Sequence, residues 1–231
     1  MDSGKKGEAA TPRRRNREET RRRVLDAVVA TVVDVGYYTA SSNEIARRAD
    51  VTWGTIQHLF GSREQLMLDV VNDIGMQIEQ RFADSDVNGA TLEERLTEVL
   101  NVLSLHYEQS SYLVQVQILL DLSANPKMSS RAQKAIRRDS GQVVDRLAQP
   151  LMEKALGDVA AEHDLVMYAF MTMRGYLISC AVAQLVTTMP RNSVVRLIGS
   201  GMDEKVLRRL MVRGVTETIR EEATLRGYSI D

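Results

Sequence analysis

A single cysteine, Cys180, stands among 231 residues, which excludes an internal disulfide framework and any multi-cysteine zinc site. Alone, it reads as a small apolar helix residue. No unbroken run of about 18 apolar residues occurs, which argues against a membrane-spanning helix. The N-terminus is polar and basic without an apolar h-region, so no secretory signal is read and a cytoplasmic location is expected. The dinucleotide glycine pattern, the P-loop and the GxSxG elbow are all missing. Three histidines, His58, His106 and His163, are too scattered to form a metal spacing or to pair with Cys180. Carboxylates are plentiful but spread at spacings that suit solvated helix faces. The chain is therefore not expected to be an enzyme, and no cofactor or metal is expected.

What is present fits a two-part globular protein. The length exceeds one average domain, and a hydrophobic content of 44% supplies a sizeable core. A net charge of −1 conceals an asymmetry. Residues 1–63 carry 12 Lys/Arg against 8 Asp/Glu, while residues 64–231 carry 18 against 23. A basic head on an acidic body points to a polyanion as the partner of the head.

Residues 1–15 lack apolar periodicity and read as a disordered basic arm. Its Arg13-Arg14-Arg15 triplet suits a solubilising tail and, equally, an arm lying on nucleic-acid phosphates. Asn16 with Glu19 then opens a helix with Val24, Val28, Val32 and Val35 on one face, stopped by Gly36.

Residues 41–68 carry the most information. Ser41 and Glu44 form a Ser-x-x-Glu capping box for a short helix with Ile45, Ala46 and Ala49 on its apolar side. Asp50-Val51 supplies a tight turn, and Thr52 caps the next helix. That helix buries Ile56 and Phe60 and offers Gly54, Thr55, Gln57 and His58 outward. Small hydrogen-bonding residues at the start of a second helix suit reading base edges in a major groove. Ser62 and Gln65 form another capping box and launch a third helix.

The run Glu44-Ile45-Ala46, then Ala49-x-Val51-Thr52-x-Gly54-Thr55-Ile56, then Phe60-x-Ser62-Arg63-Glu64-x-Leu66, resembles the N-terminal DNA-binding domain of TetR-family transcriptional regulators over about residues 17–77. Two departures stand out. Family members commonly carry aromatic residues where this chain has Gln57 and Leu59, and Trp53 stands where a small or basic residue is usual. The resemblance implies a helix-turn-helix domain over 16–77, with Arg13, Arg14, Arg15, Ser42, Thr52, Trp53, Gly54, Thr55, Gln57 and His58 toward double-stranded DNA. It also implies that residues 78–231 form an effector-binding and dimerisation domain.

Further helices are expected over 63–82 (stripe Leu66, Val70, Ile74, Ile78), from Thr91 and Glu94 to Tyr107, over 129–156, 164–188 and 203–225. Residues 111–122 alternate as a strand would, yet their helical surroundings favour helix. Pro150 is expected to kink or split the helix that holds it. The whole is all-α, with a three-helix head, a helical body and about nine helices. Gly175, Ser179 and Ala183 form a small-residue row permitting close helix approach, and Val206, Leu210 and Gly214 form an apolar row near the C-terminus. The resemblance makes these the homodimer interface. An ordinary intrachain core is the plainer reading. His106, Tyr107, Tyr112, Gln115, Met167, Phe170, Met171 and Arg174 are the candidates for holding a small-molecule effector, largely apolar and with room for an acidic group. Arg174 needs an anionic partner, either Asp121, Asp139 or the ligand. The function read from all this is a repressor that leaves a palindromic operator when an effector binds. Its rivals are a DNA-binding protein with no effector, and a helical enzyme or adaptor whose head no longer binds DNA.

Overall fold

The computed structural model describes residues 12–187 and 203–231. Among the described residues there is no strand. The elements are α1 (Pro12–Val35), α2 (Ser42–Arg48), α3 (Trp53–Phe60), α4 (Arg63–Asp84), α5 (Leu92–Tyr107), α6 (Ser110–Ala124), α7 (Ser130–Leu156), a 3-10 turn (Gly157–Ala161), α8 (His163–Thr187) and α9 (Glu204–Leu225). The all-helical expectation holds, including helix rather than strand over 111–122. The alternation there reflects a helix buried at Tyr112, Val114, Ile118 and Leu122.

The chain divides into two compact units. The first contains Met1–Asp73 with Val114–Ala132, and the second Ile74–Leu113 with Gln133–Asp231. The helices α4, α6 and α7 each pass along the chain from one unit into the other.

In the first unit, α1 packs on α2 and α2 on α3. Val24, Val28 and Val32 are buried as expected, but Val35 is 38% exposed. Thr31 is fully buried on that helix instead, its hydroxyl donating to the Ala27 carbonyl at 2.6 Å. Across the unit, Arg21 donates to Asp69 at 2.8 Å and Arg22 to Asp73 at 2.7 Å. The Arg21 guanidinium also lies 4.8 Å from the centre of the Phe60 ring, a cation–π contact. These pairs brace α1 against α4, while Ile45, Ile56 and Leu66, all at 0% exposure, fill the space between.

Helix α1 starts at Pro12, four residues before the Asn16 start that the sequence suggests. Proline's fixed φ and missing N–H suit a first helical turn. Arg13, Arg14 and Arg15 are thus exposed residues of a helix, not of an unstructured arm.

In the second unit α5, α8 and α9 pack on one another. The Thr91–Glu94 capping box forms in both directions, and Leu92, Leu96, Val99, Leu100 and Leu103 are fully buried. Gly89, in the loop before α5, sits where a Cβ would come within 2.7 Å of the Glu94 Cβ and 2.8 Å of the Arg95 nitrogen. Only glycine fits there. Helix α7 is not split at Pro150 but continues to Leu156. Arg226 closes the C-terminal end, reaching Glu162 at 2.7 Å and Asp164 at 2.7 and 2.8 Å. Tyr228 adds a bond to Glu162 at 2.8 Å. Hydrogen bonds from Arg226 hold the Asp164 carboxyl at about 2.

Residues 163–182 of α8 are long and apolar enough on average to cross a membrane by length and composition, although His163, Asp164 and Arg174 interrupt the apolar run. The same pattern serves a core helix, with Leu165, Val166, Ala169, Phe170, Met173, Leu177 and Ala181 buried inside the second unit.

Candidate nucleic-acid interface

Local hydrogen bonds shape the α2–turn–α3 segment. The Ser41 hydroxyl accepts from the Glu44 N–H at 3.2 Å and caps α2. The return half of the expected capping box is not made, because the Glu44 carboxylate takes Arg47 at 2.7 and 2.8 Å and Arg48 at 2.6 Å instead. Those guanidiniums hold the Glu44 carboxyl at about 2. The turn follows a Schellman pattern. The Val51 N–H donates to the Ala46 carbonyl at 3.0 Å and the Asp50 N–H to the Arg47 carbonyl at 3.2 Å. Asp50 adopts φ 52° there, a left-handed conformation that Asp tolerates better than most residues.

Thr52 caps α3, its Oγ1 accepting from the Thr55 N–H at 3.1 Å and lying 3.0 Å from Thr55 Oγ1. Ile56 and Phe60 anchor the helix inward, which leaves Thr52, Gly54, Gln57 and His58 exposed with Trp53 and Thr55 half-buried. Ser42 is half-buried and accepts from Arg63 Nη1 at 3.3 Å. Arg63 Nη2 also donates to the Ala40 carbonyl at 2.9 Å. One residue of the first turn of α4 thereby fixes the approach to α2.

The exposed face of α3 thus offers hydrogen-bonding side chains with little bulk, which suits the edges of base pairs. Among the arginines of α1 and α2, two groups differ in their pairing. Arg21, Arg22, Arg47 and Arg48 are paired with carboxylates. Arg13, Arg14 and Arg17 are exposed and have no carboxylate partner among the described residues, and Arg15 has only a loose 3.7 Å pair with Glu19. Arg17 was not singled out from the sequence, because its availability shows only once α1 is seen to begin at Pro12.

The family model described as "Bacterial regulatory proteins, tetR family" matches residues 24–70. Over that stretch the chain is similar to the TetR family of regulators. The matched stretch contains α2, the turn and α3 whole. Among curated proteins, the transcriptional repressor KstR of Mycobacterium tuberculosis is 30% identical over 97 residues, 42% of this chain and 44% of that one. The regulator BetI of Cronobacter sakazakii is 38% identical over 63 residues, 27% of this chain and 31% of that one. The chain spans less than half the length of these curated relatives. Among solved structures, FadR of Bacillus subtilis in complex with stearoyl-CoA superposes with a TM-score of 0.54 at 19% identity, covering 84% of this chain and 98% of the other. That likeness is one of fold.

The candidate residues of the body fall into separate groups. His106, Tyr107 and Tyr112 form a buried aromatic triad with ring centres 4.8 to 5.2 Å apart, each pair edge-to-face. Arg174 joins it, with Nε donating to Tyr107 Oη at 2.9 Å. Burial, and then the charges of Arg81 and Arg174, hold the His106 imidazole at about 4. Arg81 was missed in the sequence, since nothing local places it near His106.

Phe170 is buried and Met167 half-buried, but Met171 is 44% exposed. Gln115 belongs to the first unit, where its Nε2 donates to the Val71 carbonyl at 3.4 Å. Asp121 is not the partner of Arg174, because it accepts from Tyr37 within the first unit. Asp139 and Ala183 lie outside the residues whose side chains are described. Of the dimer candidates, Gly175, Ser179, Val206, Leu210 and Gly214 are all exposed.

Proposed function

We propose that this chain is a homodimeric, DNA-binding transcriptional repressor that leaves a palindromic operator when a small-molecule effector binds its body. The outward face of α3 carries this reading. Two buried anchors, Ile56 and Phe60, turn Thr52, Gly54, Thr55, Gln57 and His58 outward on a rigid helix. Such a helix enters a major groove, and two of them at about 34–36 Å meet successive grooves of a palindrome. Arg13, Arg14 and Arg17, without a carboxylate partner among the described residues, supply phosphate contacts from the first turns of α1.

The dimer reading rests on the face of α8 and α9 that bears Gly175, Ser179, Val206, Leu210 and Gly214, all exposed in the single chain. Apolar Met171 and Val182 are exposed on α8 as well. The effector reading rests on the His106–Tyr107–Tyr112 triad and on Arg174. No carboxylate pairs with Arg174 among the described residues, so an apolar ligand with an acidic group matches the site. Stearoyl-CoA, the ligand named in the FadR structure, has that chemistry. A constitutive DNA-binding protein is the second reading, favoured by triad rings that already fill the space between themselves.

Fluorescence anisotropy with genomic duplexes flanking the gene tests the first reading. Tight binding should weaken with salt, each neutralised phosphate adding about −0.9 to the slope of log K against log salt. Glutamine at Arg13, Arg14 and Arg17 should flatten that slope. Absence of any duplex binding at low salt refutes the proposal.

A further inference from the structure

The compact unit that holds the helix-turn-helix is discontinuous in sequence, since it includes residues 114–132. Three polar contacts fasten that segment. Tyr37 Oη donates to Asp121 Oδ2 at 2.8 Å. Gln115 Nε2 donates to the Val71 carbonyl. The Ser129 backbone N–H and hydroxyl both donate to the Glu64 carboxylate, at 3.1 and 2.5 Å.

The places they touch are not scattered. Tyr37 is buried at 7% exposure in the loop between α1 and α2. Three residues on, the Ala40 carbonyl accepts from Arg63, which also holds Ser42. Glu64 follows Arg63 in the first turn of α4. The bracket that sets the approach to α2 is therefore gripped from both sides, through Tyr37 by Asp121 and through Glu64 by Ser129. A phenol bonded to a carboxylate is a charge-assisted hydrogen bond, stronger than a neutral one. Burial first, and then Asp121, push the Tyr37 hydroxyl well above its usual range. The donor thus stays protonated at any physiological pH.

We propose that Asp121, about 60 residues beyond the helix-turn-helix in sequence, is a positioning residue for DNA binding, holding Tyr37 so that α2 and α3 meet the duplex in one fixed orientation. This rests on the DNA-binding reading above. The alternative is a contact that serves folding alone, and the two differ in what they do to the folded protein. A role in positioning lowers the affinity of fully folded protein for its specific site. A role in folding lowers only the melting temperature.

The test uses the full chain and a duplex that the wild-type protein selects from genomic fragments. Tyr37→Phe and Asp121→Ala should each weaken that complex about tenfold, the equivalent of one hydrogen bond of this kind. The double variant should be no weaker than either single one, because both remove the same bond. Asp121→Asn, whose amide oxygen still accepts from Tyr37, should stay within about threefold of wild type. Tyr37→Phe is nearly isosteric and keeps the fold measurable, and its amide exchange over residues 37–48 should quicken. Unchanged affinity in Tyr37→Phe and Asp121→Ala, with a lower melting temperature, overturns the inference alone. A wild-type chain that selects no duplex overturns the DNA-binding reading and this inference with it.

Discussion

Two outward faces of this chain carry small residues at helical spacing, and their chemistry differs. On α3 the exposed positions are Thr52, Gly54, Gln57 and His58, with Thr55 half-buried. On α8 and α9 they are Gly175, Ser179, Val206, Leu210 and Gly214, with Met171 and Val182 nearby. Smallness lets a partner's surface come close in either case. The first face is rich in donors and acceptors, which match the edges of base pairs. The second is mostly apolar, and the proposed dimer would cover it with a copy of itself across a two-fold axis. Exposure alone distinguishes neither, and the functional groups beside the small residues do.

Gly175→Leu puts the largest strain on this contrast. A Cβ at Gly175 meets nothing within 4 Å in its own chain, so the protomer should fold normally. At a closely packed two-fold interface the same change should cost about 1–3 kcal/mol in each copy. Light scattering should then show monomers, and operator affinity should fall at least about a hundredfold as simultaneous docking is lost. A variant that stays dimeric with full affinity removes the functional meaning given to the α8–α9 face.

His106, in the interior of the second unit, serves as a control for both faces. Its folded-state value of about 4 lies below the ordinary 6.5, so the unfolded chain binds the extra proton first as pH falls. Its neutral form stabilises the fold fully above pH 6.5, and that contribution is lost between pH 6.5 and 4. The loss should amount to roughly 3 kcal/mol at most. Urea melts at pH 7.5 and 4.5 should show this loss, and His106→Phe should shrink it. An equal loss in the variant places the acid sensitivity elsewhere.

Gln57→Ala tests the α3 face directly. Removal of a base contact should reduce preference for the operator over random duplex by about 1–3 kcal/mol at one position. Competition binding with both duplexes gives the number, and an equal loss for both would make Gln57 a general anchor.

Gly54→Ala should have the smallest effect and divides the two properties most cleanly. Its new Cβ would sit 3.6 Å from Thr52 Oγ1, an ordinary contact. Alanine should raise stability by about 0.5–1 kcal/mol through helix propensity, while operator affinity declines where the backbone must approach the groove. A gain in both would show that no close approach occurs at this position.

What the sequence by itself determined is local. The caps at Ser41, Thr52 and Thr91, the turn at Asp50, the stripe Leu66–Val70–Ile74–Ile78 and the small outward residues of α3 all depend on neighbours within about one turn. They were legible because hydrogen-bond reach and helical period are properties of short segments. The two local errors have separate causes. Pro12 extends α1 beyond Asn16, and the Glu44 carboxylate leaves its expected cap for Arg47 and Arg48 because charge-assisted bonds are stronger. Tertiary structure alone decided that Asp121 serves Tyr37 rather than Arg174, that Arg81 adds its charge at His106, and that residues 114–132 join the helix-turn-helix unit. Those outcomes link groups many tens of residues apart, and only chain folding can choose among the carboxylates and cations able to pair.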